Sequence, residues 1–257
     1  MKRIVVIPDL QIPFHDRRAL KNVIQFVGEY QPDLVLQIGD LMDYPAPSRW
    51  TTGTRLEFAG GVIRESEIGK KEFLGPLRDV YSGPLEILEG NHDERPRVYL
   101  AQRAPALSAE DEFYRFENLL DFKTYEVSLR SPFKPLAPGW TAMHGHEMKG
   151  FNSISGRTAA AFAKKLKCSV VMGHTHRLAI SPESGGIRHS TRYGFEAGHL
   201  MDMKQASYLR GGPANWQMGF GILYVLGPHV QPTPVDIASD GSFIVEGQAY
   251  GKKQRAG

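Results

Sequence analysis

Five short apolar runs in this chain each end on residues suited to metal or proton chemistry. Ile4-Val5-Val6-Ile7 is followed by Asp9, and Leu34-Val35-Leu36-Gln37-Ile38-Gly39 by Asp40. Leu85-Glu86-Ile87-Leu88 leads into Gly90-Asn91-His92-Asp93-Glu94, where a Gly-Asn pair breaks the run and turns the chain. Trp140-Thr141-Ala142-Met143 ends on His144, and Ser169-Val170-Val171-Met172-Gly173 on His174 and His176. Runs of this length and composition read as buried strands. In open α/β sheets, sites form outside the carboxyl ends of the strands, so five such endings describe one site. Carboxylate, imidazole and amide donors without thiolate suit divalent ions of the Mn, Fe, Zn, Ni or Co kind. One carboxylate can bridge two ions about 3.5–4 Å apart, the clamp used for in-line displacement at phosphorus. Histidine ligands bind as neutral imidazoles, so activity is expected to fall at acid pH.

The elements that position these residues begin with a β-α-β unit. After Asp9, residues 16–30 carry Leu20, Val23, Ile24 and Val27 at helical spacing, with Asp16 as N-cap. Pro32 closes that helix, and a second strand runs into Gly39-Asp40-Leu41-Met42-Asp43. Residues 44–60 have turn residues, two arginines and Trp50 but no period, and read as a long loop beside the site; its plainer reading is a surface excursion with Trp50 tucked into a groove. A helix is expected over 62–80 with Ile63, Ile68, Phe73, Leu74 and Leu77 inward, then helical pieces over 95–121 broken at Pro96 and Pro105. Arg95, Arg97, Arg103 and Arg115 fall there, balanced by Glu110, Asp111, Glu112 and Glu117, the pattern of a solvated helical face. Residues 155–167 form another apolar-faced helix. From Ile187 onward shorter β-like pieces (219–226, 235–237, 242–245) point to a second, more antiparallel sheet packed on the first.

The 257 residues suffice for one domain, expected over 1–250, with 251–257 a flexible basic tail. A net charge of +3 is too small to argue by itself for nucleic acid. Cys168 is the sole cysteine, which excludes an internal disulfide framework, and its apolar run makes it a core thiol. No apolar stretch approaches membrane-spanning length, and the first residues lead straight into a strand. The expectation is a cytoplasmic protein with no membrane partner.

Asp9-x-Gln11, Gly39-Asp40-x-x-Asp43, Gly90-Asn91-His92-Asp93, His144-Gly145-His146 and Gly173-His174-Thr175-His176 occur in the order of the calcineurin-like metallophosphoesterase family, over about two-thirds of the chain. The chain resembles that family. The resemblance implies an α/β fold, a four-layer αββα sandwich of two mixed β-sheets flanked by helices, with a two-metal site between strand ends. It implies that Asp9 and His176 hold the first ion, that Asp40 bridges both, and that Asn91, His144 and His174 hold the second. It makes His92 the non-ligand histidine that stabilises or protonates the leaving oxygen, with Asp93 orienting it. The family usually writes Asp-x-His in the first motif, whereas this chain writes Asp9-Leu10-Gln11. Gln11 is a neutral, hard donor and a poorer ligand than imidazole for Zn or Fe. It either ligates, directly or through water, or is hydrogen-bonded with one coordination place open; His15 is the alternative substitute. Manganese is the leading ion, with Ni, Fe, Zn, Co and Mg as alternatives.

Around that set, His146 is the alternative to His144 as ligand, though the family pattern favours the first histidine and leaves His146 a supporting residue; Asp43 reads as a supporting, turn or cap residue, and His189 and His229 as surface or satisfied core histidines. His199, in Glu196-Ala197-Gly198-His199, is the histidine where related enzymes place a small-residue turn near the site. The resemblance implies a metal-dependent phosphoesterase acting on a small phosphoester or nucleotide, most closely a phosphodiesterase for cyclic nucleotides or similar diesters. Asn215-Trp216-Gln217-Met218-Gly219-Phe220 and the Gln11 variant resemble phage-type and bacterial members. Two rivals stand beside it. A nuclease acting on nucleic acid needs a basic groove, for which Arg49, Arg55, Arg95 and Arg97 are the candidates. A metal-binding interaction scaffold without chemistry would explain Gln11 but not the retention of His92.

Overall fold

The computed structural model describes residues 1–185, 190–205 and 214–251, with backbone only at 107–111. His189, the side chains of Glu110 and Asp111, and the basic tail from residue 252 lie outside the described residues. Strand β1 (Lys2–Ile7) is apolar on both faces, as a central strand must be. Val5 and Ile7 pack toward helix α1 (Arg17–Tyr30), and Ile4 and Val6 toward a second sheet. Asp16 caps α1 as expected, its Oδ1 accepting from Arg18 N at 2.9 Å and Ala19 N at 3.0 Å. Strands β2 (Leu34–Gln37) and β3 (Leu85–Leu88) follow in parallel.

Between β2 and β3 lie the short helix α2 (Arg55–Phe58) and a run of α3 (Val62–Gly69), a π-helical turn (Lys70–Leu74) and α4 (Gly75–Val80). Phe73, Leu74 and Leu77 are buried, but Ile63 is exposed, contrary to the helical spacing. The extra residue of the π turn rotates the upstream face by about 100° and carries Ile63 off the core side. Trp50 is 75% exposed and not tucked into a groove. Helix α5 (Arg95–Arg103) takes Pro96 in its first turn, where a missing N–H costs nothing, so this proline starts the helix instead of breaking it. A 3₁₀ stretch (Pro105–Tyr114), α6 (Phe116–Leu119) and β4 (Val127–Arg130) complete the half, β4 parallel to β3.

The second sheet holds β5 (Pro135–Ala137), β6 (Trp140–Met143), β7 (Ser169–Met172), β8 (Leu178–Gly185) and β9 (Ser190–Ala197), in the order β5-β6-β7-β9-β8. Its outer face is covered by α7 (Arg157–Leu166), whose Ala159, Phe162 and Ala163 meet Met143, Val170 and Met172. Cys168, just before β7, is half-buried. The late strands are placed differently from the expectation. β10 (Gly219–Leu226) pairs antiparallel with β1, and β11 (His229–Asp236) with β10, so both extend the first sheet to the order β11-β10-β1-β2-β3-β4. An antiparallel pattern tells how a strand pairs, not which sheet supplies its partner, and the free edge of β1 was the one to be covered. The hairpin of β12 (Phe243–Val245) and β13 (Gln248–Tyr250) sets Phe243 and Tyr250 against Phe26.

The layers are therefore helices, first sheet, second sheet and α7, with Ile4, Val6 and Leu36 meeting Trp140, Ala142 and Phe195 between the sheets. Parallel β1, β2 and β3, and parallel β6, β7 and β9, bring the carboxyl ends of six strands to the same region. No helix among the described residues is long and apolar enough to cross a membrane.

The seat of α7 depends on Gly194 of β9, where an added Cβ would lie 2.1 Å from Ala160 N and 2.3 Å from Ala159 C. Backbone on both sides leaves no flexible group to move aside. Gly194→Ala is expected to lower stability by about 3 kcal/mol, the upper end of overpacking costs. Gly185→Ala meets nothing within 4 Å and should stay within about 0.5 kcal/mol of the parent; urea unfolding of the two variants checks the contrast.

Candidate metal centre

The loops that leave the parallel strands are tied to one another before any side chain is considered. Leu10 N and Gln11 N both donate to Asp40 O at 3.0 Å, and Gly173 N donates to His144 O at 3.0 Å. Gln11, Asp40, His174 and His176 all have φ between 52° and 66°, the left-handed region that non-glycine residues rarely occupy. Such strain, of order 1–3 kcal/mol per residue, concentrates at functional sites. The motif glycines serve close approach. A Cβ on Gly90 would sit 2.3 Å from Asp40 Oδ1, and one on Gly173 2.4 Å from Asp9 Oδ2.

Asp40 Oδ2, His144 Nε2 and His174 Nδ1 converge, all within 4.8 Å of one another. His144 Nε2 is 3.2 Å from Asp40 Oδ2 and 3.2 Å from His174 Nδ1. Ligands about 2.0–2.1 Å from a tetrahedral ion stand about 3.3 Å apart, so these spacings fit a divalent metal. His144 Nδ1 donates to Ile38 O at 2.9 Å, which fixes the ring so that Nε2 faces the site. Beside it, His176 Nε2 lies 3.4 Å from Asp9 Oδ1, and Asp9 is held by His174 N at 3.0 and 3.1 Å. Two buried acceptors, Gln11 Oε1 and Asn91 Oδ1, have no hydrogen-bond partner. Orphaned acceptors are costly unless something binds them, so the donor set fits a divalent cation on this ground too. Gln11 Nε2 donates to Asp40 Oδ2 at 3.0 Å, placing Gln11 against the carboxylate the resemblance makes the bridge. His15 is not part of the set; its Nε2 pairs with Glu72 Oε2 at 2.8 Å.

The structure corrects the partner of His92. Asp93 is fully buried and its oxygens accept from Met42 N and Gly90 N, both at 2.8 Å. The carboxylate at His92 Nδ1 belongs to Asp43, with Oδ1 2.5 Å away. Asp93 thus shapes the turn that carries Asn91 and His92, and Asp43 orients the ring. The reason lies in the turn: after Gly90 the chain folds back, so the Asp93 side chain points inward under its own loop. Arg95, expected on a charged helical face or in a basic groove, instead sits against the histidine: its Nη1 donates to Asp43 O at 2.6 Å and its Nη2 stands 3.0 Å from His92 Nε2. Two rings that the sequence analysis did not place at the site also border the set. Trp216 lies 4.2 Å from the His176 ring and 5.9 Å from His199, and Phe151 lies 5.0 Å from His174. The signal for Phe151 was its place five residues after His146, and that for Trp216 the Asn215–Phe220 pattern. His146 lines the neighbouring cleft, and His199 packs 5.3 Å from His176 with its Nδ1 accepting from Met201 N.

Electrostatics follow from this burial. Burial opposes ionisation of Asp40, but the His144, His92 and His174 rings hold its carboxyl well below the usual range. Burial likewise pulls the His144 ring down, yet Asp40, then Asp9 and Glu147, push it up to about 10. His174 goes the other way, to about 4, through burial and the His144 charge, and burial takes His199 to about 3. Burial and the Asp40 charge raise the Asp93 carboxyl well above the ordinary value.

The sequence profile of the calcineurin-like phosphoesterases matches residues 2–178. The chain belongs to that family. The Gene 54 proteins of Mycobacterium phages D29 and L5 are each 48% identical to it over 254 residues, 97% of this chain and 98% of theirs. A doubly substituted Vps29 from Entamoeba histolytica shares the fold with a TM-score of 0.50 at 14% identity, over 96% of this chain and 95% of that one. A metallophosphoesterase from Sphaerobacter thermophilus aligns with a TM-score of 0.45 at 19% identity, over 91% and 88%. The family and the Asp40–His144–His174 cluster together support use of a divalent metal.

A proton count tests this centre. The metal-free protein at neutral pH keeps His144 protonated, with a value raised to about 10, and His174 neutral. An ion binding at His144 Nε2 must expel that one proton, so affinity should rise about tenfold per pH unit between about pH 6 and 9. Calorimetric Mn titrations in buffers of different ionisation enthalpy are expected to show about one proton released for that ion, absent in His144→Asn. Binding that is indifferent to pH over this range would remove His144 from the ligand set.

Proposed function

We propose that this protein is a metal-dependent phosphodiesterase. The observation that carries the reading is a convergent ligand set with an oriented histidine beside it: His92 Nε2 lies 3.8 Å from Asp40 Oδ2 while Nδ1 is fixed by Asp43. In this proposal Asp9, Gln11 and His176 would hold one ion and Asn91, His144 and His174 the other, with Asp40 serving both. Two divalent ions held there would polarise the phosphoryl oxygens and supply hydroxide at neutral pH. Manganese is the proposed ion, because an amide replaces an imidazole in the first motif.

In hydrolysis the hydroxide oxygen bonds to phosphorus, the bond from phosphorus to one ester oxygen breaks, and that oxygen departs with the electron pair. It then needs a proton. His92 is placed to give it, with the Asp43 carboxylate at Nδ1 holding the ring in position. With Nδ1 donating to Asp43, Nε2 is the acceptor facing Arg95 Nη2. An entering phosphate gives Arg95 a stronger, charged acceptor, and Nε2 becomes free to take up the proton it delivers. Asn91 and His92 open on a cleft of about 850 Å³ that continues to Trp50 and Arg103. That continuation leaves room for a substituent on each side of phosphorus, which favours a diester over a monoester.

Metal-stripped protein, supplied separately with Mn, Ni, Zn and Mg, should hydrolyse an aryl phosphodiester faster than the matching monoester, most with Mn. Stoichiometric metal binding without hydrolysis of either ester would replace this reading with that of an interaction scaffold. His92→Ala should keep its metal and lose about 10²–10⁴-fold in kcat. As a proton donor, His92 should matter more for an alkyl leaving group than for an aryl one; an equal loss on both esters would end that role.

A further inference from the structure

The cleft beside His92 carries more positive charge and more exposed aromatic surface than a single phosphate requires. Arg49, Arg95, Arg103 and Lys149 line it, against the carboxylate of Glu94, which faces Arg97 at 3.5 Å. Of the four arginines the sequence reading offered for a basic groove, Arg49 and Arg95 are present, while Arg55 and Arg97 are not among the lining residues. Arg95 is engaged with Asp43 and His92. Arg103 donates only to a neutral group, Thr52 Oγ1 at 3.0 Å, among the described residues. The guanidinium of Arg49 stands 4.6 Å over the Trp50 ring, and neither it nor the Lys149 ammonium has a carboxylate within ion-pair distance among the described residues.

Trp50 is 75% exposed, with Arg49 over one face, and Phe151 is 50% exposed on the wall that carries Lys149. A single exposed ring needs no explanation. Two rings at one cation-lined cleft that ends on a phosphoryl-transfer site do. Successive bases stack on such rings, and the sugar-phosphate chain follows the cations. A cyclic mononucleotide brings one phosphate, which the ligand set and Arg95 already neutralise, and leaves Arg49 and Lys149 without a counter-charge, while Arg103 has only the Glu57 carboxylate in its vicinity.

We infer that this cleft takes single-stranded nucleic acid, with a base on Trp50 and flanking phosphates on Arg49, Arg103 and Lys149, so that one internucleotide diester reaches His92. As a substrate assignment it rests on the hydrolytic reading above. The cleavage is the same hydrolysis: water adds across one internucleotide P–O bond, giving one phosphomonoester end and one hydroxyl end.

The test uses full-length, manganese-loaded His92→Ala, which binds without turning over, and a fluorescent oligothymidylate of about 12 nucleotides read by anisotropy. With three cations engaged, the logarithm of the binding constant should fall against the logarithm of salt with a slope of roughly −2, at about −0.7 per phosphate contacted. Adding Trp50→Ala should weaken binding at least tenfold, and adding Lys149→Ala should flatten the slope by about 0.7. Both side chains stand at the surface, and thermal unfolding of the variants shows that they fold. Free 3′,5′-cyclic AMP should not displace the strand at matched concentration. Absent strand binding, binding indifferent to Trp50→Ala, or displacement by the cyclic mononucleotide as effective as by unlabelled strand would each overturn the inference. Hydrolysis of the aryl diester by the parent protein separates the two readings. Strand binding without aryl hydrolysis overturns the hydrolytic reading alone, and aryl hydrolysis without strand binding overturns the strand alone.

Discussion

The Asp40 carboxylate is all but fully buried, and different loops hold its two oxygens. Oδ1 accepts from His92 N at 2.9 Å, while Oδ2 accepts from Gln11 Nε2 at 3.0 Å and faces His144 Nε2 at 3.2 Å. Residues separated by 29, 52 and 104 positions from Asp40 thus meet on its two oxygens. A buried carboxylate is tolerated only when it is paired and hydrogen-bonded, so every loop that satisfies Asp40 is fixed by doing so. The third requirement is space. Gly90 backs directly onto Asp40, and any side chain there would displace the carboxylate from the three groups that hold it.

The same region confines two further buried acids, Asp9 and Asp93, and like charges so confined cannot all remain bare. The chain treats each differently. Asp93 takes two backbone N–H groups and has its carboxyl pushed up, Asp9 takes the His174 N–H on both oxygens, and Asp40 keeps its charge against His144. What remains is a concentration of negative charge and imidazole lone pairs without enough protons to balance it. A divalent cation would supply that balance, and the packed sheets beneath hold Gln11, Asp40, His174 and His176 around this charge in left-handed backbone, leaving the loops no other course.

The parts legible in the sequence were those governed by local rules. Strand endings, the Asp16 cap and the helix of Leu20, Val23, Ile24 and Val27 follow from period and capping chemistry, and the family motifs fixed the order of site residues. The parts that were not legible depend on distant pairing. Nothing within residues 219–226 tells that they lie beside β1 and not in the second sheet. The π turn at 70–74, which turns Ile63 to solvent, is invisible to a count that assumes a constant 3.6-residue period. Asp93 follows His92 in sequence, but adjacency along the chain does not bring side chains together; Asp43, reached from another strand, does.

Gln11 is where the chain departs from its family, and the geometry gives the change a narrower meaning than the sequence does. Loss of an imidazole at this place removes a strong ligand for Zn or Fe, and a scaffold that had abandoned chemistry would leave the remaining parts free to drift. They have not drifted: Asp43 orients His92, Ile38 O fixes His144, and Asn91 Oδ1 stands buried and unsatisfied. Gln11 itself is not an inert filler. Its Nε2 binds the carboxylate at the centre of the set, and its buried Oε1 has no partner. An amide can do both at once because its donor and acceptor sit on opposite sides of one carbon. A neutral imidazole in that position offers one nitrogen to an ion and one proton to a neighbour, but along ring directions fixed 144° apart in idealised pentagonal geometry, roughly the same division of labour with a softer donor. In the proposed centre the substitution therefore exchanges donor softness while keeping the division, which would alter which ion the first position prefers before it alters whether the position is used.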